Sequence, residues 1–146
     1  MSATPTFTPQ LIGRTEKALN ALLYRQLEGS GVAEPQWVTL VLAVTNGGSL
    51  ARAQLVELAS DGMKIDRDVA QAHIDRLAEL GMLEKSDDDE GAISVSDSGH
   101  QLFARVRGAT AEITERMWGD LPADDLAVAG RVLSKILERA TAELAS

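Results

Sequence analysis

Arg67 and Gln71 are the side chains of this chain best suited to reading hydrogen-bonding patterns on another molecule. A guanidinium can pair with the two acceptors of guanine and a carboxamide with the donor and acceptor of adenine, provided both sit on a helix that enters a major groove. Arg52, Gln54 and Lys85 can hold phosphates beside them. The alternative is a solvated face, on which Arg67 pairs with neighbouring Asp66 or Asp68 for little energy. Catalytic constellations are lacking: no serine has a triad, and neither a glycine-rich phosphate loop nor a zinc motif occurs. Two isolated histidines, His73 and His100, do not form a metal site. The chain therefore reads as a non-enzyme without cofactor or metal.

The bulk composition narrows the classes further. A length of 146 residues suits a single domain, with 45% hydrophobic and 25% charged residues. The absence of cysteine excludes a disulfide framework, a thiolate zinc site and a cysteine nucleophile. No apolar run reaches the length of a membrane span, and residues 1–10 lack signal-peptide character, so the expected compartment is the cytoplasm. The net charge of −8 counts against nucleic acid as a partner. Its placement is uneven, because Asp87, Asp88, Asp89 and Glu90 cluster within residues 86–91. Such a cluster reads as a solvated turn, and its spacing is not that of a calcium loop.

The elements that must position these residues follow from periodicity and capping. Thr8 and Pro9 start a helix carrying Leu11, Leu19, Leu22, Leu23 and Leu27, which Gly29-Ser30-Gly31 ends. A second helix runs from Glu34-Pro35 to Asn46-Gly47-Gly48. A short third helix spans residues 52–60, broken by Asp61-Gly62. Asp66 can cap a fourth reaching about Leu80, with Val69, Ala70, His73, Ile74, Leu77 and Leu80 inward. Residues 82–85 and 92–95 read as strands of a hairpin whose tip is 86–91. Ser96 or Asp97 then caps a long helix to about Met117, and a last helix runs from Asp124 with an apolar face of Leu126, Ala129, Val132, Leu133, Ile136, Leu137, Ala140 and Leu144. The expected fold is mainly α with a small β-hairpin wing: a winged helix-turn-helix, whose second helix enters the major groove.

The run Ile74-Asp75-Arg76-Leu77-Ala78-Glu79-Leu80-Gly81-Met82-Leu83-Glu84-Lys85 resembles the end of the reading helix and the start of the wing in the multiple-antibiotic-resistance regulator (MarR) family. Val95-Ser96-Asp97-Ser98-Gly99-His100-Gln101-Leu102-Phe103 is similar to that family's leucine-threonine-x-x-glycine opening of the fifth helix. Helix order and chain length extend the resemblance over nearly the whole chain. It implies one domain over 1–146, with dimerisation helices at 1–32 and 101–146 around a DNA-binding lobe at 33–100.

The implied function is a homodimeric transcriptional regulator, a repressor of a palindromic double-stranded operator that is modulated by a small aromatic or acidic ligand. Arg14, Tyr24 and Arg25 lie near where relatives bind ligands, and Arg14 can anchor a carboxylate, although an interface or surface role suits it equally. Trp37 and Trp118 read as packing residues, with ligand stacking the alternative, and Trp37 joins Arg14 and Tyr24 as a candidate ligand contact. Two departures stand out. Family wings carry aspartate-x-arginine, whereas this tip is Asp87-Asp88-Asp89-Glu90, with no arginine between Arg76 and Arg105. A basic residue common on the family's reading surface is replaced by Ala72. The second reading is therefore a winged-helix dimer with weak or no DNA affinity, acting as a protein-interaction module.

Overall fold

A computed structural model describes residues 4–86 and 91–146. The element order is α1 (Pro9–Leu27), α2 (Glu34–Thr45), β1 (Ser49–Ala51), α3 (Arg52–Met63), α4 (Arg67–Glu79), β2 (Leu83–Lys85), β3 (Ala92–Val95), α5 (Asp97–Trp118) and α6 (Ala123–Ala145). The acidic tip, Asp87 to Glu90, lies outside the described residues.

Local chemistry accounts for most of the helix ends. The Thr8 hydroxyl accepts the Leu11 amide at 3.1 Å, with proline at the first helical position of α1. At α2 the Gln36 carboxamide oxygen accepts the Ala33 amide at 2.8 Å. Asp66 occupies the cap position of α4, yet its side chain makes no cap hydrogen bond, contrary to the capping expected of it.

Helix α3 differs from expectation by running through Asp61-Gly62 to Met63. One interior glycine costs a helix only about 1 kcal/mol. The break comes instead at Lys64, whose φ of 57° is left-handed. Its amide bonds back to the Ser60 carbonyl, and the Ser60 hydroxyl donates to the Ile65 carbonyl at 2.6 Å. Together these set the turn between α3 and α4.

The wing is a three-stranded antiparallel sheet in the order β1-β3-β2, one strand more than the hairpin expected from sequence. Leu50 pairs with Ile93, and Lys85 pairs with the same residue from the other side. Residue β1 positions are too few to show an alternation, so only pairing reveals the strand.

Leu40 from α2, Leu55 from α3, Ile74 and Leu77 from α4, Ile93 from β3 and Val106 from α5 are fully buried and form the centre of one core. Ala70, Ile74 and Leu77 set the inward line of α4. Val69 departs from the expected inner face and is 43% exposed, because one helical step turns it about 100° away from Ala70.

The strand-to-helix junction after the wing depends on Ser96 and Gly99. The Ser96 hydroxyl donates to the Gly81 carbonyl at 2.5 Å and accepts the Gly99 amide at 3.0 Å. A Cβ on Gly99 would collide with the Met82 carbonyl oxygen and reach 2.8 Å from Val95 Cγ1. That carbonyl already accepts the Ser96 amide at 3.0 Å, so it has little freedom to retreat. Gly99→Ala is expected to destabilise the fold by about 1–3 kcal/mol, read as a lower midpoint in urea denaturation.

By internal packing the chain forms two units, one ending at Thr110 and the other Ala111–Ser146. In the second, no residue of α6 is buried, and Val128, Leu133, Leu137 and Leu144 are largely exposed. No helix among the described residues is long and apolar enough to cross a membrane.

Candidate nucleic-acid interface

Helix α4 follows α3 through a short turn and presents Arg67, Asp68, Val69, Gln71, Ala72 and Arg76 to solvent. Its inner face is committed to the core, so these side chains form the surface available to a partner. Arg52 starts α3 directly after β1, and its amide donates to the Gly91 carbonyl at 3.1 Å. The sheet therefore fixes where the Arg52 side chain begins.

That side chain is 24% exposed and reaches across to α4. Its Nε donates to Gln71 Oε1 at 3.0 Å, and its Nη2 donates to Asp75 Oδ1 at 2.7 Å. Lys85, on β2, donates from Nζ to the same Asp75 oxygen at 2.9 Å. One carboxylate thus ties the first residue of α3, helix α4 and the wing. The Lys85 ammonium, followed by the Arg52 guanidinium, holds the Asp75 carboxyl below the usual carboxylate range. The carboxylate therefore keeps its charge, and the bridge, throughout the neutral pH range.

Arg67 pairs with Glu57 on α3, Nε to Oε1 at 2.6 Å, rather than with Asp66 or Asp68. Adjacent residues on a helix do not face each other, whereas a helical side chain leans toward the N-terminal end of its own helix and here meets α3. Both partners are well exposed, so the pair adds little stability and can exchange for another anion. Arg52, Val56, Glu57, Arg67 and Gln71 line one open cleft of about 430 Å³ between α3 and α4. Gln54 is exposed on the first turn of α3.

Four of the expected nucleic-acid contacts, Arg52, Arg67, Gln71 and Lys85, thus belong to one connected surface. Asp75 and Glu57, which organise it, were not singled out from sequence. The available signal was position, since Asp75 follows Gln71 by four residues and so shares its helix face.

The expected ligand contacts are dispersed by comparison. Arg14 and Tyr24 are exposed on α1, whereas Trp37 is buried and stacks on Phe103, with ring centroids 5.9 Å apart. The Arg107 guanidinium lies 5.4 Å from the centroid of Phe103. None of the three lines the α3–α4 cleft. His73 is half-buried, its Nδ1 3.0 Å from Gln36 Nε2. Since the Gln36 oxygen already accepts an amide, its nitrogen donates to His73. His100 is exposed on α5, and Trp118 is 39% exposed. Among the described residues, no group of three His, Asp or Glu side chains is placed to hold a metal.

No family profile matches the sequence, and comparison with curated proteins finds no relative. Solved structures do match. A MarR protein from Peptoclostridium difficile superposes with a TM-score of 0.76 at 14% identity, over 97% of each chain. A SlyA-like transcription regulator from Listeria monocytogenes gives 0.77 at 19% identity, over 95% of this chain and 92% of that one. The PcaV transcriptional regulator from Streptomyces coelicolor, solved with its natural ligand, gives 0.70 at 21% identity, over 96% and 99%.

Proposed function

We propose that this chain, which has the winged helix-turn-helix fold of MarR-family regulators, is a homodimeric DNA-binding transcriptional regulator. The reading rests above all on one observation: Arg52 of α3 and Lys85 of β2 converge on Asp75 of α4, and Arg52 also bonds Gln71, along the exposed face of the second helix of a helix-turn-helix. Such a surface would offer hydrogen-bond donors to base edges and phosphates if α4 occupied a major groove. Arg67 and Gln71 then read bases, while Lys85 and Gln54 face the backbone. The apolar faces of the terminal helices pair two copies on a palindromic site. Repression would be relieved by a small aromatic or acidic molecule that engages Arg14 and Tyr24, with Trp37 as part of the wall. The setting is cytoplasmic, and the role is regulatory rather than enzymatic.

The direct test is fluorescence anisotropy with duplex from upstream of the protein's own gene, repeated across salt concentrations. Nanomolar binding that exceeds binding to random duplex and falls steeply with salt is the expected result. Absence of binding at low salt would favour the second reading, a protein-interaction module. That reading draws on the net charge of −8 and on the acidic partners held by Arg52, Arg67 and Lys85.

Arg67→Ala combined with Gln71→Ala is expected to weaken specific binding by about 2 kcal/mol, roughly 30-fold. Binding to random duplex should change much less. Unchanged specific affinity in the double variant would remove both residues from base reading.

A further inference from the structure

The contact between Arg52 and Gln71 carries information about which base the surface prefers. Every polar hydrogen of a guanidinium is a donor, and it has no acceptor at all. The Gln71 carboxamide can therefore face Arg52 only through its oxygen, as the 3.0 Å contact from Nε to Oε1 shows. Its amide nitrogen must turn elsewhere, and Gln71 is exposed. Arg52 is itself held by a second bond, from Nη2 to Asp75 at 2.7 Å, and Lys85 grips that carboxylate from the wing. The guanidinium is thus fixed from two sides and cannot easily swing to release the oxygen.

A free glutamine matches adenine by giving one hydrogen bond to N7 and taking one from the N6 amino group. Here one of the two lone pairs of that oxygen already accepts from a cation, and a bond to the other would bring the N6 amino group up against the fixed guanidinium. The positive charge beside it repels the partial positive charge of an incoming amino group. What faces outward without that charge conflict is donor chemistry: the carboxamide NH2, with guanidinium hydrogens that have no partner among the described residues behind it. Guanine is the base whose major-groove edge offers two acceptors, N7 and O6.

We propose that Arg52 is a positioning residue that locks Gln71 as a donor and so turns its base preference from adenine to guanine. The proposal rests on the DNA-binding reading given above and adds to it the identity of the base read by one side chain. Arg52 acts through Gln71, so its loss changes which base is chosen.

The test is selection from a randomised palindromic duplex pool by the full-length wild-type protein and by Gln71→Ala, Arg52→Met and Gln71→Glu. The position read by Gln71 is the one whose preference Gln71→Ala abolishes. Wild type is expected to select guanine there. Arg52→Met keeps the length of the side chain but removes every donor, and it should shift the guanine-to-adenine ratio at least tenfold toward adenine. Gln71→Glu keeps an oxygen for Arg52 while replacing the amide donor with an acceptor, so that position should turn to cytosine, whose N4 amino group donates. This second variant carries the test even if Arg52→Met fails to fold by circular dichroism. Retention of guanine by either folded variant, or selection of adenine by wild type, would overturn the proposal. Enrichment of no sequence by wild type would instead overturn the DNA-binding reading and the proposal with it.

Discussion

Leu133→Glu together with Ile136→Glu is expected to convert the proposed dimer to a monomer and to weaken the proposed operator binding by a factor of about 100 or more. Helix α6 carries Val132, Leu133, Ile136, Leu137 and Leu144 on one broad apolar face, and none of its residues is buried within the chain. Single exposed leucines are ordinary, but a contiguous stripe of this width marks a surface that another surface covers. Burying an aliphatic side chain contributes about 1.5–3 kcal/mol, so several on each copy suffice to hold a dimer against the entropy of association. Two glutamates in the centre would bring four unpaired carboxylates together across a two-fold axis. The loss in DNA affinity follows because linking two reading heads raises avidity by about 10²–10⁴ over one head alone. Sedimentation velocity reads the oligomeric state, and anisotropy on a palindromic duplex reads the binding. A variant that stays dimeric would move the interface away from α6.

The second large effect is on stability. Ile74 has no exposed surface and lies on the inner line of α4, in the same core as Leu40, Leu55 and Ile93. Ile74→Ala removes buried methyl groups and leaves a cavity that three helices and a strand can only partly fill. The expected loss is about 2–5 kcal/mol, against a total of about 5–15 kcal/mol for a domain of this kind. Urea denaturation should show a lower midpoint with little change in slope. A loss below about 1 kcal/mol would mean that α4 is seated less firmly than its burial indicates. The variant bears on function too, because Ile74 lies beside Asp75 in the helix that carries Gln71.

Much of this organisation is legible in the sequence. The order of helices follows from apolar periods of about 3.6 residues punctuated by Gly29, Gly47 and Gly81, and the resemblance around Ser96 and Gly99 has a steric basis in the contact with Met82. Other features are not local. Strand β1 has no period of its own and exists because Leu50 finds Ile93, 43 positions along the chain. The end of α3 moved from Gly62 to Lys64 because a left-handed lysine, bonded back to Ser60, stops the helix where glycine would have been the natural signal. The candidate interface was legible as residue types but not as a circuit. Arg52 meets Gln71 and Asp75 from 19 and 23 residues away, and such pairings depend on how two helices cross. The same crossing gave Arg67 a partner, Glu57, that no neighbouring acid in sequence announces.

The wing is closed at its base: the Ser86 amide donates to the Ala92 carbonyl at 2.8 Å, and the Arg52 amide holds Gly91 from the other edge. Both bonds join backbone groups, so the clasp does not depend on which side chains stand between Ser86 and Gly91. Doubling the length of such a loop costs only about 0.6 kcal/mol in closure entropy. Mutation can rewrite the charge and length of this segment while the clasp stays intact. The clasp therefore places no demand of its own on the charge of Asp87-Asp88-Asp89-Glu90.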